Sequence, residues 1–267
     1  MRPNHQISAA NTSGKLSSPN KAPPQGNRLL AAPFRVANLT TEFRMEIITH
    51  LENIGITPDL KSPPHAMTLA EFTMIVEASP EAVVLLEGRR SIPDHDAALA
   101  TLTARRLVEQ FPCLRFRSGN AEGSDQAFSE GIAQVAPWRL QVIAPYAGHR
   151  KSARYADAVY DSPESLSSVQ DDEVAYKTAA ASPKNKGLIE KRAKKGALAA
   201  KAAYLIRDTM KVTGHSQMFP KPACALFYVD LNDPFAGGTG HTIRVCQQEG
   251  VPYAFQDSWQ QWFSATG

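Results

Sequence analysis

Large apolar residues are sparse at the start of the chain and regular after it. Residues 1–33 are rich in Ser, Asn, Pro and Gln and cannot bury enough surface to offset the entropy of ordering, so they are read as a disordered tail. Leu39, Phe43, Ile47, Leu51 and Ile54 then fall on one helical stripe, which Gly55 ends. After Pro63-Pro64, Thr68 and Glu71 have the spacing of a capping box, and Met67 and Phe72 that of a hydrophobic staple. A second helix is expected from Leu69 to about Ala78, making residues 34–80 a helical extension.

From residue 81 the period changes. Short apolar runs alternate with helical stripes, the signature of a parallel sheet with crossover helices. Strands are expected at 81–87, 114–117, 139–144, 224–229 and 253–256. The first, with Val83, Val84, Leu85 and Leu86 in a row, reads as buried on both faces. Helices are expected from Asp94, as N-cap, to Phe111; from the Ser118–Asp125 loop to about Val135; through 202–212, stopped by Gly214; over Thr239–Gln248, with Ile243, Val245 and Cys246 buried; and at 258–263. The fold class is therefore α/β, a Rossmann-like sheet of about five strands occupying residues 81–267.

Charge marks one exception. Six acidic residues and no basic one lie between Asp157 and Glu173, whereas Lys184 to Lys201 is strongly basic. Such blocks belong in solvent, so about 146–203 is expected to be a charged, partly mobile insertion. For the whole chain the formal net charge is only +3, too mild to demand a nucleic-acid partner. No apolar stretch approaches the ~20 residues of a membrane span, and no apolar segment precedes Leu29 to act as a secretory signal. Three cysteines without CxxC spacing indicate neither a disulfide framework nor a zinc cluster. These features together point to a cytoplasmic protein with no membrane partner.

Candidate chemistry gathers where strands end. Pro234 to Val251 runs from a strand through glycines into a helix, and the free N–H groups and dipole at such a helix start attract phosphate. Gly88-Arg89-Arg90 follows the first strand and Ser118-Gly119-Asn120-Ala121-Glu122-Gly123-Ser124-Asp125 the second. In an open α/β sheet these loops share the ligand-binding edge.

Together with Arg207-Asp208 and Gly238-Thr239-Gly240-His241-Thr242-Ile243, these loops resemble the SLOG superfamily, which includes the Smf/DprA and LOG-type proteins, and within it the small YspA/YpsA-like branch. The resemblance implies binding of a nucleotide or nucleotide-derived ligand. In that role Gly119, Gly123, Gly237, Gly238 and Gly240 would let backbone approach phosphate, Ser118, Thr239 and Thr242 would donate hydroxyl bonds, and Arg89 would pair as a fork. Asn120 replaces a glycine of the family's middle loop, which is tolerable where positive φ is needed, Glu122 should face solvent, and Asp125 reads first as a helix N-cap. Arg207 enters by the family pattern alone, and a homodimer is a further implication. Arg244 occupies the place of the LOG glutamate, and a cation cannot act as that carboxylate, which argues against LOG-like hydrolysis.

Other readings stay open. An N-glycosidic hydrolase would need a carboxylate near the glycine loops, with Asp125, Asp208, Asp230 and Asp233 as candidates. Single-stranded nucleic acid could meet the basic run of residues 184–201, although no aromatic residue interleaves with those lysines. A sensor or regulatory module is the third. No GxGxxG follows the first strand, no P-loop lysine is present, and His149, His215 and His241 lack zinc spacing, so neither cofactor nor metal is assigned. His241 reads as a helix-start residue.

Overall fold

Val83–Gly88 forms β1, buried along its whole length at the centre of an open parallel sheet. The computed structural model describes residues 66–79, 81–194 and 196–263; the tail and the helix expected over 39–54 lie outside them. β1 is followed by β2 (Arg115–Ser118), β3 (Leu140–Ile143), β4 (Val159–Asp161), β5 (Cys224–Tyr228) and β6 (Tyr253–Phe255), in the spatial order β4-β3-β2-β1-β5-β6. Every pairing is parallel. The chain builds outward from β1 to β4, then returns to the opposite side of β1, so strand order reverses between β1 and β5.

Helices cover both faces. α1 (Leu69–Glu77) begins at the expected capping box, with Thr68 accepting from the Glu71 amide and Glu71 from the Thr68 amide. Its Phe72 packs against Phe111 and Trp262 at ring separations of 5.5 and 4.9 Å. α2 (Asp94–Gln110) is capped by Pro93 rather than Asp94, which sits in the first turn where its charge complements the helix dipole. α3 (Ser124–Ala133) completes this side with α1 and α2, packing on Val84, Leu86, Phe116, Val142 and Leu226.

The opposite face carries α4 (Ser168–Ala181), α5 (Lys186–Ile189), α6 (Ala197–Thr213) and α7 (Gly237–Glu249). α8 (Gln256–Trp259) follows β6 and buries Trp259 among the first group. The segment expected as an insertion thus contains β4, α4 and α5, which brings the sheet to six strands. Val174, Ala175, Thr178 and Ala181 of α4 are buried, and its acidic residues Asp171 and Asp172 pair with Arg192 from the basic run. Small residues give α4 too faint a stripe to announce itself in sequence.

Under α6 the sheet is polar. Leu85 and Phe227 belong to one apolar cluster with α7, Ile143 to another with α4 and α6; between them β1, β2 and β3 present Glu87, Arg117 and Gln141. Arg117 is fully buried, donates to Gln141 at 3.2 and 2.8 Å and gives Nη1 to the Lys211 carbonyl at 2.9 Å. Burial pulls its pKa down to about 9, still cationic at neutral pH. Among the described residues no helix is long and apolar enough to cross a membrane.

Candidate functional site at the strand-order reversal

The loops leaving β1 and β5 part at the reversal and enclose a cavity of about 1120 Å³. This is the edge at which open α/β sheets bind ligands.

Asp125 fixes the first wall. It stands one residue inside α3, where Gly123 is the uncapped N-cap, so the expected capping role is corrected. Oδ1 accepts from the Gly88 amide at 3.1 Å and Oδ2 from the Ala121 amide at 3.3 Å, which ties the loops after β1 and β2 together. Ser124 reinforces the tie by donating to the Arg89 carbonyl. Arg89 itself reaches across the mouth to Asp230 at 3.0 Å, both side chains half exposed.

The opposite wall is the start of α7. No side chain caps it, so its first-turn N–H groups remain for a ligand. Gly237 has φ 61° and open space where a side chain would be, while Gly238 and Thr239 also line the cavity. Tyr204, Leu205, Leu188 and Phe235 add aromatic and aliphatic surface. Arg244 also lines the cavity, with Nε donating to the Ala181 carbonyl and Nη1 to that of Phe235.

The floor is charged and buried. Lys211, with no exposed surface, places Nζ 2.6 Å from Glu87 and 2.9 Å from Asp208. Arg207 donates Nε and Nη2 to Asp208 Oδ1 and Nη1 to the Gly119 carbonyl. With Asp125 the cluster holds three carboxylates against two cations. Burial, opposed by Lys211, raises the pKa of Glu87 to about 7, whereas the Arg207 and Lys211 charges overcome burial and lower that of Asp208. His241 is held by Ser182 at Nδ1 and Thr209 at Nε2, at 2.8 and 3.0 Å. Burial drops its pKa to about 4 and keeps it neutral. Among the described residues no three His, Cys, Asp or Glu side chains gather to hold a metal ion.

Gly88, Arg89, Asp125, Arg207, Gly237, Gly238 and Thr239 line one cavity. Arg207 is buried rather than a solvated helix-surface residue. Ser118 and Thr242 turn inward, their hydroxyls donating to the Asp125 carbonyl and to Glu87. Gly119 makes room for the charge cluster: an added Cβ would lie 2.7 Å from Asp125 Oδ2 and 2.9 Å from Arg207 Nη1. Gly123 and Gly240 sit behind the walls, against the backbones of Arg90 and Phe235. Asn120 has the expected left-handed backbone, φ 56°, and is buried beside the site. Glu122 faces solvent.

Glu87 and Lys211 are the residues that sequence reasoning misses. The available signal was a carboxylate at the end of a strand otherwise apolar and buried on both faces, which requires a partner. Nothing comparable marks Lys211 on its helix. The fold and cleft define an open, Rossmann-like parallel α/β protein with a charged pocket at its switch point. Set against models of protein families, curated proteins and solved structures, the chain finds no match.

Proposed function

We propose that the chain binds a nucleotide or nucleotide-derived ligand in this cavity and serves as a sensor or regulatory module. One observation carries the reading: an uncapped helix start, with Gly237 and Gly238 open to a cavity of about 1120 Å³, lies where strand order reverses. Phosphate suits the α7 N–H groups, and Tyr204 and Phe235 offer faces for a base. The test is thermal unfolding with AMP, ADP-ribose, NAD and cyclic nucleotides. A ligand at a hundredfold excess over its Kd stabilises by about 2.7 kcal/mol, a rise of several degrees in Tm. Gly237→Asp, which adds a carboxylate in open space at a left-handed φ that costs some stability, should abolish that rise while the variant still unfolds cooperatively. No shift with any member of the panel removes the reading.

A second reading has its own observation. Glu87 and Asp208 flank one ammonium with pKa values pushed in opposite directions, the pattern of paired acid and base groups. In it, water bonds to the sugar's anomeric carbon as the N-glycosidic bond breaks, Glu87 gives its proton to the leaving base and regains one from the attacking water, and Asp208 stabilises the charge developing on the sugar. Base release that stops in Asp208→Asn would establish it; intact nucleotide after prolonged incubation would exclude it.

A further inference from the structure

Four residues of the main cavity wall, Arg90, Ala121, Tyr204 and Arg207, also line a second, half-open pocket of about 160 Å³, completed by Glu122, His149 and Arg150. Nothing in the nucleotide reading above uses this space. Three guanidiniums reach it from three parts of the fold: Arg90 from the loop after β1, Arg150 from the segment after β3, and Arg207 from α6. Arg150 is held there by a left-handed backbone, φ 43°, and by donation to the Asn120 carbonyl at 3.2 Å. Arg207 spends its donors on Asp208 and Gly119 and supplies charge.

His149 gives an independent sign of a ligand. The residue is 8% exposed, its ring lies edge-on to Tyr146 and Tyr204 at 5.3 and 5.9 Å, and its Nδ1 is buried with no hydrogen-bond partner. A buried nitrogen left unpaired is a standing cost, which a ligand bonded to it relieves. Burial, then Arg207, Arg150, Arg90 and Arg154, disfavour a second proton on the imidazole, so it meets a phosphoryl oxygen as a neutral ring donating its one N–H. The one carboxylate lining the pocket is Glu122, 3.7 Å from Arg150 and mostly exposed.

We infer that this pocket is a second anion subsite, shaped for a phosphoryl group between Arg90, Arg150 and His149. Because it shares a wall with the main cavity, the ligand class is a nucleotide bearing two separated phosphates, one at the start of α7 and one here. The subsite stands on its own residues; the nucleoside portion rests on the proposed function.

The experiment follows the imidazole resonances of His149 by NMR, assigned with His149→Gln, while the full chain is titrated with orthophosphate. The expected result is a saturable shift that Arg150→Met removes and that Arg90→Ala, at an exposed position, weakens independently. A nucleoside 3′,5′-bisphosphate should then bind about tenfold more tightly than the 5′-monophosphate, an advantage lost in Arg150→Met. Resonances that stay put under phosphate, or a shift that survives both variants, overturn the subsite. Phosphate at His149 with no nucleotide-induced stabilisation keeps the subsite and removes the nucleotide reading. Stabilisation that Gly237→Asp abolishes while His149 stays unmoved does the reverse.

Discussion

Glu87 shows how a single residue changes meaning between sequence and structure. As the penultimate residue of a buried strand it accepts from Thr242 and faces Lys211, and burial raises its pKa to about 7. Raising a carboxyl's pKa on folding means that the native state holds the extra proton. Stability from this group is therefore full below about pH 4.5 and lost as pH rises toward 7. His149, His215 and His241 work in the opposite direction, because their pKa values fall on folding and each adds stability as pH rises to about 6.5. The wild-type curve mixes these terms, so the clean measurement is a difference. Urea unfolding of Glu87→Gln and wild type from pH 5 to 7.5 should show the variant gaining relative stability with pH, by on the order of 1 kcal/mol or more. Parallel curves would mean that Glu87 does not titrate in this window.

Elements differ in how far they announce themselves. β1, β5 and α7 are legible because long apolar runs and a glycine start leave few alternatives, and α1 because its capping box and staple are local devices. β4 is only three half-buried residues at a sheet edge, and the apolar side of α4 is built from Ala and Thr around a single Val. Periodicity cannot raise either above a charged background. The site divides the same way. Gly237 and Gly238 are visible because glycine loops have a mechanism attached, but the floor depends on Arg207, Asp208 and Lys211 pointing under the sheet edge, and helical spacing alone does not distinguish a buried charged side from a solvated one. α1 supplies a test at this scale. Thr68→Ala removes the side-chain half of the capping box, the hydroxyl that accepts from the Glu71 amide, and leaves the residue 68 amide donating to Glu71; it should cost about 1 kcal/mol in urea unfolding, with nucleotide-induced stabilisation unchanged, because α1 packs on Phe111 and Trp262, away from the cavity.

At the scale of the molecule, stability should be uneven. β1 and β5 are buried throughout and pair along five registered positions, so their amides should exchange with deuterium only on global unfolding. α5 is four residues long, and residues 190–194 after it are mostly exposed. Exchange mass spectrometry should find that stretch opening first, with a nucleotide slowing exchange chiefly at the start of α7. Uniform protection across both regions would contradict this picture of a rigid sheet with a looser shoulder over the cavity.

The reversal of strand order has a consequence for how the protein is made. β1 is synthesised early, yet its partner on one side, β5, begins at Cys224. At ribosomal speeds of about 5–20 residues per second, that interval lasts roughly 7 to 27 seconds. Throughout it, the nascent chain carries an apolar strand with one open edge, and for most of it a buried-type Glu87 awaiting Lys211. An edge of that kind invites pairing with other chains, so the growing polypeptide is open to mispairing until β5 has emerged, and slower synthesis lengthens that exposure.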